Sequence, residues 1–553
     1  MPAPKPLTQC DPPALDWSRP GTPAATDFGD IYFSVDGGLA ETEAVFLKAC
    51  GLPEGWQDSQ RFVIGELGFG SGLNFLAAWR MWEATKAKNG RLHFVSVEKF
   101  PFDAAQLNQA LSAWPELETY SAALIAQWPG RVKGFHRLHF GDVTLTLIHD
   151  DISKALDEID ARVDAWFLDG FSPAKNPNMW SGEIMKKLAG LSAPGARLGT
   201  FTVAGSVRQA LIESGFDVEK KEGFGRKRHR LEARFPGERA AEKDIEPLTI
   251  IGAGIAGASL ARAFKRRGLT PTIVHDPNHK AASHNAAALI KPRLDLQDRP
   301  ESRFFLGSYL YALQAYRNHV VTEGVTDIPK TEAETERFKK LNIQAPLPIA
   351  HFDFDERENR LALGKSLVIE PKTILNDWLS DISLTTDKPA DSLIILAAGF
   401  GLKALLKDRD IPLRFSRGQL TWAEAKISIP TTYGGYAIPL EEGVLLGATH
   451  QRLGDEDPFA LKAEDDVENL EGFEKFTGQQ AIPSSKISRA SVRVTTADTL
   501  PLIDKIDENV WLFTGLGSRG FVFAPLLAEA IVSHICGDPL PISKKVWARF
   551  ALR

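Results

Sequence analysis

The chain has 553 residues, 43% apolar and 25% charged, with a formal net charge of −6. That length favours roughly two to four soluble domains, and the acidic balance excludes a global positive field, so contact with RNA needs local basic patches. Three scattered cysteines (Cys10, Cys50, Cys536), a start lacking a secretory pattern and no apolar run near the ~20 residues of a bilayer span predict a cytoplasmic protein without disulfides, metal or membrane.

The first sixty residues read as an irregular lead-in plus one helix near 38–50. Phe62 to Leu67 is a short apolar strand, Gly68, Gly70 and Gly72 form a turn, and Leu73 to Trp82 reads as a helix. A second strand, Leu92 to Val97, ends on Glu98. Strand, glycine turn, helix and strand make a βαβ unit, in which the acid at the second strand's tip can accept both ribose hydroxyls. Gly-x-Gly-x-Gly preceded by Glu66 favours S-adenosylmethionine over a dinucleotide. No Gly-Lys-Ser/Thr follows, so a P-loop is excluded.

Thr144 to His149 is a strand closing on Asp150 and Asp151. Asp151 is either the acid that meets an adenine amino group or the N-cap of a helix over 152–159. Trp166 to Leu168 is a buried strand with Asp169 at its carboxyl end, where ligands sit in an open α/β sheet. A carboxylate there, followed by Gly-Phe-Ser-Pro, suits methyl transfer to nitrogen: Asp169 accepts an amine proton or orients the lone pair. The bland alternative is a turn residue satisfying local amides. Phe171 and Trp180 are expected to wall a flat or cationic substrate. A turn and fifth strand follow at 195–202. Arg226, Lys227 and Arg228, beside Gly223 and Gly225, form either a phosphate contact or plain solvated surface.

A short charged seam at 237–247 divides the chain into domains at 1–236 and 248–553. The second opens on strand 248–251, Gly252, Gly254 and Gly257, a helix over 255–267, and a strand ending on Asp276. That context makes the pattern a dinucleotide turn, with pyrophosphate over the helix N-terminus and Asp276 on a ribose. The chain later returns with strand 511–514, the turn Gly515, Gly517, Gly520 and a helix over 524–535, an order that points to FAD rather than NAD. Between lie short strands of a mostly antiparallel substrate domain.

Glu-Leu-Gly-Phe-Gly-Ser-Gly-Leu-Asn (66–74), Phe-Leu-Asp-Gly-Phe-Ser-Pro-Ala-Lys-Asn-Pro (167–177), Gly-Phe-Gly-Arg-Lys-Arg (223–228) and Gly-Leu-Gly-Ser-Arg-Gly (515–520) resemble one bacterial family across nearly the whole chain. It is the family of bifunctional tRNA 5-methylaminomethyl-2-thiouridine biosynthesis proteins. The resemblance implies an α/β protein: an N-terminal Rossmann-like S-adenosylmethionine-dependent tRNA methyltransferase domain, then an FAD-binding Rossmann domain with an antiparallel substrate sheet. It implies FAD-dependent removal of the carboxymethyl group from 5-carboxymethylaminomethyl-2-thiouridine. S-adenosylmethionine-dependent methylation of the resulting aminomethyl group follows. The implied partner is tRNA, contacted by Arg226, Lys227 and Arg228, and the chain is expected to act as a monomer. The second half also resembles the glycine and D-amino acid oxidase superfamily. Within Ser-Val-Arg-Val-Thr-Thr-Ala-Asp-Thr-Leu-Pro-Leu-Ile (491–503), Arg493 would pair with a substrate carboxylate, which a planar guanidinium binds bidentately, or else form a structural ion pair. His284 and Lys291 depart from the family's pattern beside the expected flavin.

Overall fold

The computed structural model describes residues 8–18, 22–33, 37–225, 228–239, 245–387 and 392–553. The chain divides into two units, one holding Gln9–Asp244 with Ser533–Lys545, the other Ile245–Val532 with Val546–Arg553.

The first unit is built on β1 (Arg61–Leu67), α1 (Leu73–Thr85), β2 (Arg91–Glu98), β3 (Gly134–Phe140), β4 (Val143–His149), α2 (Ile152–Glu158), β5 (Val163–Leu168), α3 (Gly182–Leu191), β6 (Ser192–Thr200), α4 (Gly205–Glu213), β7 (Asp217–Glu222) and β8 (His229–Arg234). Its eight-stranded sheet runs β7-β8-β6-β5-β1-β2-β4-β3. The five central strands are parallel, and an antiparallel strand pairing closes each side. Side chains alternate across a strand, and the sequence uses both faces. Phe62, Ile64, Leu92, Phe94, Ala165 and Phe167 enter one core. Val63, Leu67, Val95, Val97, Trp166 and Leu168 enter the other. A parallel sheet apolar on both faces must be covered on both, which leaves the carboxyl ends of its strands as the open edge. The fifth strand begins three residues earlier than its sequence suggests, at Ser192, and Gly195 sits inside it with φ +81°, donating its N–H to Phe235 O.

Ser533–Lys545 belongs to this unit although it comes from the far end of the chain. The fully buried Asp538 carboxylate lies 3.4 Å from His93 Nε2 and 3.5 Å from Arg91 Nη1. Arg61 donates to Gly537 O and Arg137 to Pro539 O, while Leu540 N–H donates to Asp160 O.

The second unit has two sheets. The first contains β9 (Leu248–Ile251), β10 (Thr272–Val274), β14 (Leu384–Thr385), β15 (Leu393–Leu396), β20 (Leu502–Asp507) and β21 (Val510–Thr514), with α5 (Ile255–Lys265) following β9. Its order is β14-β10-β9-β15-β21-β20, parallel throughout except for β20. The second sheet, eleven-stranded among the described residues, includes β11 (Ala288–Ile290), β12 (Val320–Asp327), β13 (Arg360–Ile369), β16 (Arg414–Glu424), β17 (Tyr436–Leu440), β18 (Gly443–Gly447) and β19 (Arg489–Thr495). It is antiparallel apart from one short pairing, Thr326 with Thr431. α6 (Gly520–Cys536) starts four residues before the expected 524. Contrary to the sequence reading, Gly517–Cys536 is apolar and long enough to cross a bilayer, but two-thirds of it is buried within the protein, the environment of a core helix.

Candidate functional site

In the first unit, the open edge of the sheet becomes a cavity of about 1690 Å³ lined by the 68–74 turn, Glu98, Asp151, Asp169 and Phe171. Gly68, Gly70 and Gly72 all have positive φ, +89°, +53° and +78°, which L side chains rarely adopt. A Cβ on Gly68 would come within 3.1 Å of Asp169 O, so the glycine lets the β1 and β5 ends approach each other.

The acids are held by named donors. Glu66, buried at the end of β1, accepts from Ser96 Oγ at 2.6 Å and Asn74 Nδ2 at 2.9 Å. Burial pushes its carboxyl well above the ordinary carboxylate range, against the opposing pull of those two donors. Glu98 accepts from Gly70 N–H and Phe100 N–H, both at 2.8 Å, and burial raises it too. A carboxylate has about four acceptor positions, so Glu98 keeps capacity for hydroxyl donors. Of the two readings left open for Asp151, the helix N-cap is observed. Asp151 caps α2 by accepting from Ser153 N–H, and it also lines the cavity. Burial alone would raise Asp151, yet hydrogen bonds from Lys99 and Ser153 hold it down at about 2.

Asp169 accepts from Gly170 N–H at 2.8 Å and from Asn74 Nδ2 at 2.9 Å. The loop after it carries Phe171, stacked on Phe28 with ring centroids 4.4 Å apart and set edge-on to Tyr32. Lys175 pairs with Asp30 at 3.5 Å, and Asp30 accepts from Ser172 N–H at 3.2 Å. Burial, then the charge of Glu98, raises the Tyr32 phenol above its ordinary range. Trp180 differs from expectation. It is buried, donates Nε1–H to Phe171 O at 2.9 Å and braces the loop from behind, whereas Phe171 faces the cavity. The lead-in thus supplies Phe28, Asp30 and Tyr32, and α1 supplies Asn74, none of which sequence reasoning singled out.

Arg226 and Lys227 lie outside the described residues. Arg228, exposed at the β7–β8 hairpin, accepts from Gly223 N–H through its carbonyl. Among the described residues, no group of three or more His, Cys, Asp or Glu side chains could hold a metal ion.

In the second unit, Gly252 (φ +118°) ends β9, where a Cβ would meet Ala397 O at 2.5 Å. A Cβ on Gly257 would meet Gly252 O at 1.8 Å, so α5 packs on the strand only because that atom is missing. Gly254 faces only Ser283. The Ser283 hydroxyl accepts Ile255 N–H at 3.0 Å, at the start of α5. Asp276 stands exposed after β10, with one oxygen accepting Asn278 N–H. A helix N-terminus behind a glycine turn, with an acid beyond the next strand, suits a diphosphate and a ribose. Gly515 and Gly517 have positive φ, +74° and +56°, and Gly520 opens α6.

Arg493 lies on β19 opposite Ser416 of β16. Its guanidinium lies over Gly418, where a Cβ would fall 2.7 Å from both terminal nitrogens. It donates to Thr449 O at 3.3 Å, and among the described residues no carboxylate lies within ion-pair distance. Burial draws its pKa down, and the neighbouring Tyr436 opposes this. Arg417, one residue along the partner strand, is by contrast consumed in a buried pair with Asp465. Lys291 is paired with Asp327 at 2.8 Å and also donates to Thr432 Oγ1. His284 donates its backbone N–H to Ala281 O, and burial, then the charge of Arg489, depresses its imidazole.

Residues 115–236 match the family described as S-adenosyl-L-methionine-dependent methyltransferase, and residues 373–534 match FAD dependent oxidoreductase. A Caulobacter vibrioides protein named tRNA 5-methylaminomethyl-2-thiouridine biosynthesis bifunctional protein MnmC is 39% identical, over 98% of this chain and 97% of its own length. A protein of the same name from Maricaulis maris is 40% identical, over 96% of this chain and 93% of its own length. Among solved structures, iminodiacetate oxidase from Chelativorans sp. BNC1 aligns over 55% of this chain and 98% of its own, at 17% identity and a TM-score of 0.46.

Proposed function

This chain belongs to the family of bifunctional tRNA 5-methylaminomethyl-2-thiouridine biosynthesis proteins, and from that premise we propose how its residues divide two reactions on one modified uridine of tRNA. It is a bifunctional enzyme, an FAD-dependent oxidoreductase and an S-adenosylmethionine-dependent methyltransferase. Oxidation comes first and removes the carboxymethyl group from 5-carboxymethylaminomethyl-2-thiouridine. Methylation of the aminomethyl product follows. With tRNA as substrate, the enzyme works in the cytoplasm.

The observation that carries the oxidative assignment is Arg493, a half-buried guanidinium without a carboxylate partner among the described residues. A cation partly withdrawn from water and left unpaired is costly, and a substrate carboxylate held bidentately would complete it. The turn at Gly252, Gly254 and Gly257 with the α5 N-terminus would hold the FAD diphosphate, and Asp276 would hold a ribose. Gly515, Gly517 and Gly520 would admit the ring system beside the α6 N-terminus, whose dipole favours negative charge. Bound there, FAD would supply the two-electron oxidation of the carbon beside the secondary amine; water then adds to the oxidised carbon and its bond to nitrogen breaks, releasing the carboxymethyl carbons as an aldehyde acid and leaving the aminomethyl group.

In the methyltransferase half, Glu66, Glu98, Asp151 and the turn at Gly68, Gly70 and Gly72 would hold S-adenosylmethionine. Asp169 would receive a hydrogen bond from the amine and keep its lone pair aimed at the methyl carbon. The nitrogen–carbon bond then forms as the sulfur–carbon bond breaks, and the surplus proton leaves the nitrogen afterwards. Proximity and orientation supply most of the acceleration. Arg228, with Arg226 and Lys227, would contact tRNA phosphates.

Nucleoside mass spectrometry of tRNA tests this reading. Cells lacking the protein should accumulate the carboxymethylaminomethyl nucleoside. Cells carrying Asp169→Ala should accumulate the aminomethyl nucleoside instead, and a normal level of methylated nucleoside in them would remove Asp169 from the reaction.

A further inference from the structure

Asn74 is the second residue of α1, buried and lining the cavity. A side-chain amide has two N–H donors and one carbonyl acceptor, and all three functions of this amide are used. One N–H goes to Glu66 Oε1 and the other to Asp169 Oδ2, each at 2.9 Å. Its Oδ1 accepts from Thr42 Oγ1 at 2.7 Å. Turning the amide over would place its carbonyl against two carboxylates and its NH2 against the hydroxyl. Thr42 itself is buried at the end of the short helix Gly38–Thr42.

We propose that Asn74, locked by Thr42, is the positioning residue of the methyl transfer, because it fixes the carboxylate oxygen of Asp169 that faces the amine. The inference rests on the assignment of Asp169 to that reaction. The carboxylate is gripped on two sides, by Gly170 N–H on Oδ1 and by Asn74 on Oδ2. Gly170 N–H holds Oδ1 from the backbone and Asn74 adds a side-chain donor on the other oxygen, so the two contacts together define the carboxyl plane. Asn74 also stands between two acids that would otherwise face each other, Glu66 being raised in part by the charge of Asp169.

The test uses the full-length protein with FAD, tRNA bearing the aminomethyl nucleoside and radiolabelled S-adenosylmethionine. Asn74→Ala should lower kcat for methylation on the order of 10- to 100-fold, the scale of a mispositioned reacting group, with little change in KM for tRNA. A carboxylate that loses a donor titrates higher, so the acidic limb of the pH profile should move to higher pH. Thr42→Val should act in the same direction with smaller size, and Thr42→Ser should restore the wild-type profile. Oxidation of the carboxymethylaminomethyl nucleoside by the same preparations reports a folded second unit. Should Asn74→Ala fail to fold, the Thr42 pair carries the test alone: equal activity and pH profile in Thr42→Val and Thr42→Ser would overturn the proposal. Asp169→Ala inactive with Asn74→Ala near wild type would overturn this inference and leave the Asp169 assignment standing. Asp169→Ala methylating normally would overturn both.

Discussion

The two candidate sites treat charge in opposite ways. In the methyltransferase unit, Glu98, Asp151 and Asp169 line one cavity and Glu66 shares the Asn74 amide with Asp169, each already held by donors from the protein. In the oxidoreductase unit, the group proposed to meet the substrate is a single cation, Arg493, with one carbonyl contact and no acid within ion-pair distance among the described residues. On the proposed assignments, the first site suits a sulfonium and an amine, the second an anion. The proposed chemistry explains the contrast. Oxidation takes away a carboxylate and leaves the amine, so the tRNA side chain loses its one negative group between steps. The product of the arginine site is repelled by that site and suits the acidic one.

The largest expected effect comes from filling the turn on which the oxidoreductase half depends. Gly257→Ala places a Cβ 1.8 Å from Gly252 O, a clash with backbone that nothing flexible relieves. The purified variant should lose its flavin absorbance and all oxidation while still methylating aminomethyl tRNA. Retained flavin would detach that turn from FAD. Next, Arg493→Ala should cut oxidation about 100-fold, the order expected when a charged hydrogen-bond partner is removed (~2–3 kcal/mol). Arg493→Lys should recover only part of it, because an ammonium cannot bind a carboxylate bidentately. Equal rates for arginine and lysine would break the contrast between the sites.

A third expectation compares the units by acid. Burial holds His93 and His136 down at about 4 and His149 well below its ordinary value, the last two against the pull of Val132 O and His93 against Asp538. These imidazoles stay neutral in the fold while their unfolded counterparts take up protons below about 6.5. Their contribution is therefore complete above that pH and is lost as pH falls from about 6.5 towards 4, on the order of 1.4 kcal/mol per histidine per pH unit at most. Among the described residues of the oxidoreductase unit, His351 is also held near 4 by burial, and His284 is lowered as well. Methylation should therefore lose thermal stability sooner than oxidation when heated samples are compared at pH 7 and pH 5. Parallel loss would contradict this. The smallest effect is Arg228→Ala. It should weaken tRNA binding about threefold, uniformly across tRNAs, and reduce the salt dependence by about one contact.

Both glycine turns were legible because their requirements are local: a positive φ or a missing Cβ, next to a strand and a helix. The parallel strands were legible because both of their faces are apolar. Asn74 was not, since in sequence it is merely the second residue of a helix, and its importance comes from Thr42 and Asp169, which folding brings beside it. Phe28, Asp30 and Tyr32 sit in a segment without periodicity, so only contacts with the 169–178 loop reveal them. Trp180 misled for a related reason: a tryptophan near a catalytic loop can face the ligand or brace the backbone, and the choice depends on Phe171 O lying within reach of its indole N–H.

Ser533–Lys545 sets an order in time. Residues 9–244 leave the ribosome early, with most of their sheet available to fold, yet Arg61, Arg91, His93 and Arg137 meet Asp538 and its neighbours only after residues 245–532 have been made. The half of the enzyme that is made first is therefore completed only after most of the other half has been made. A message broken shortly before codon 533 would cost the methyltransferase residues 533–545 as well as costing the oxidoreductase unit residues 546–553.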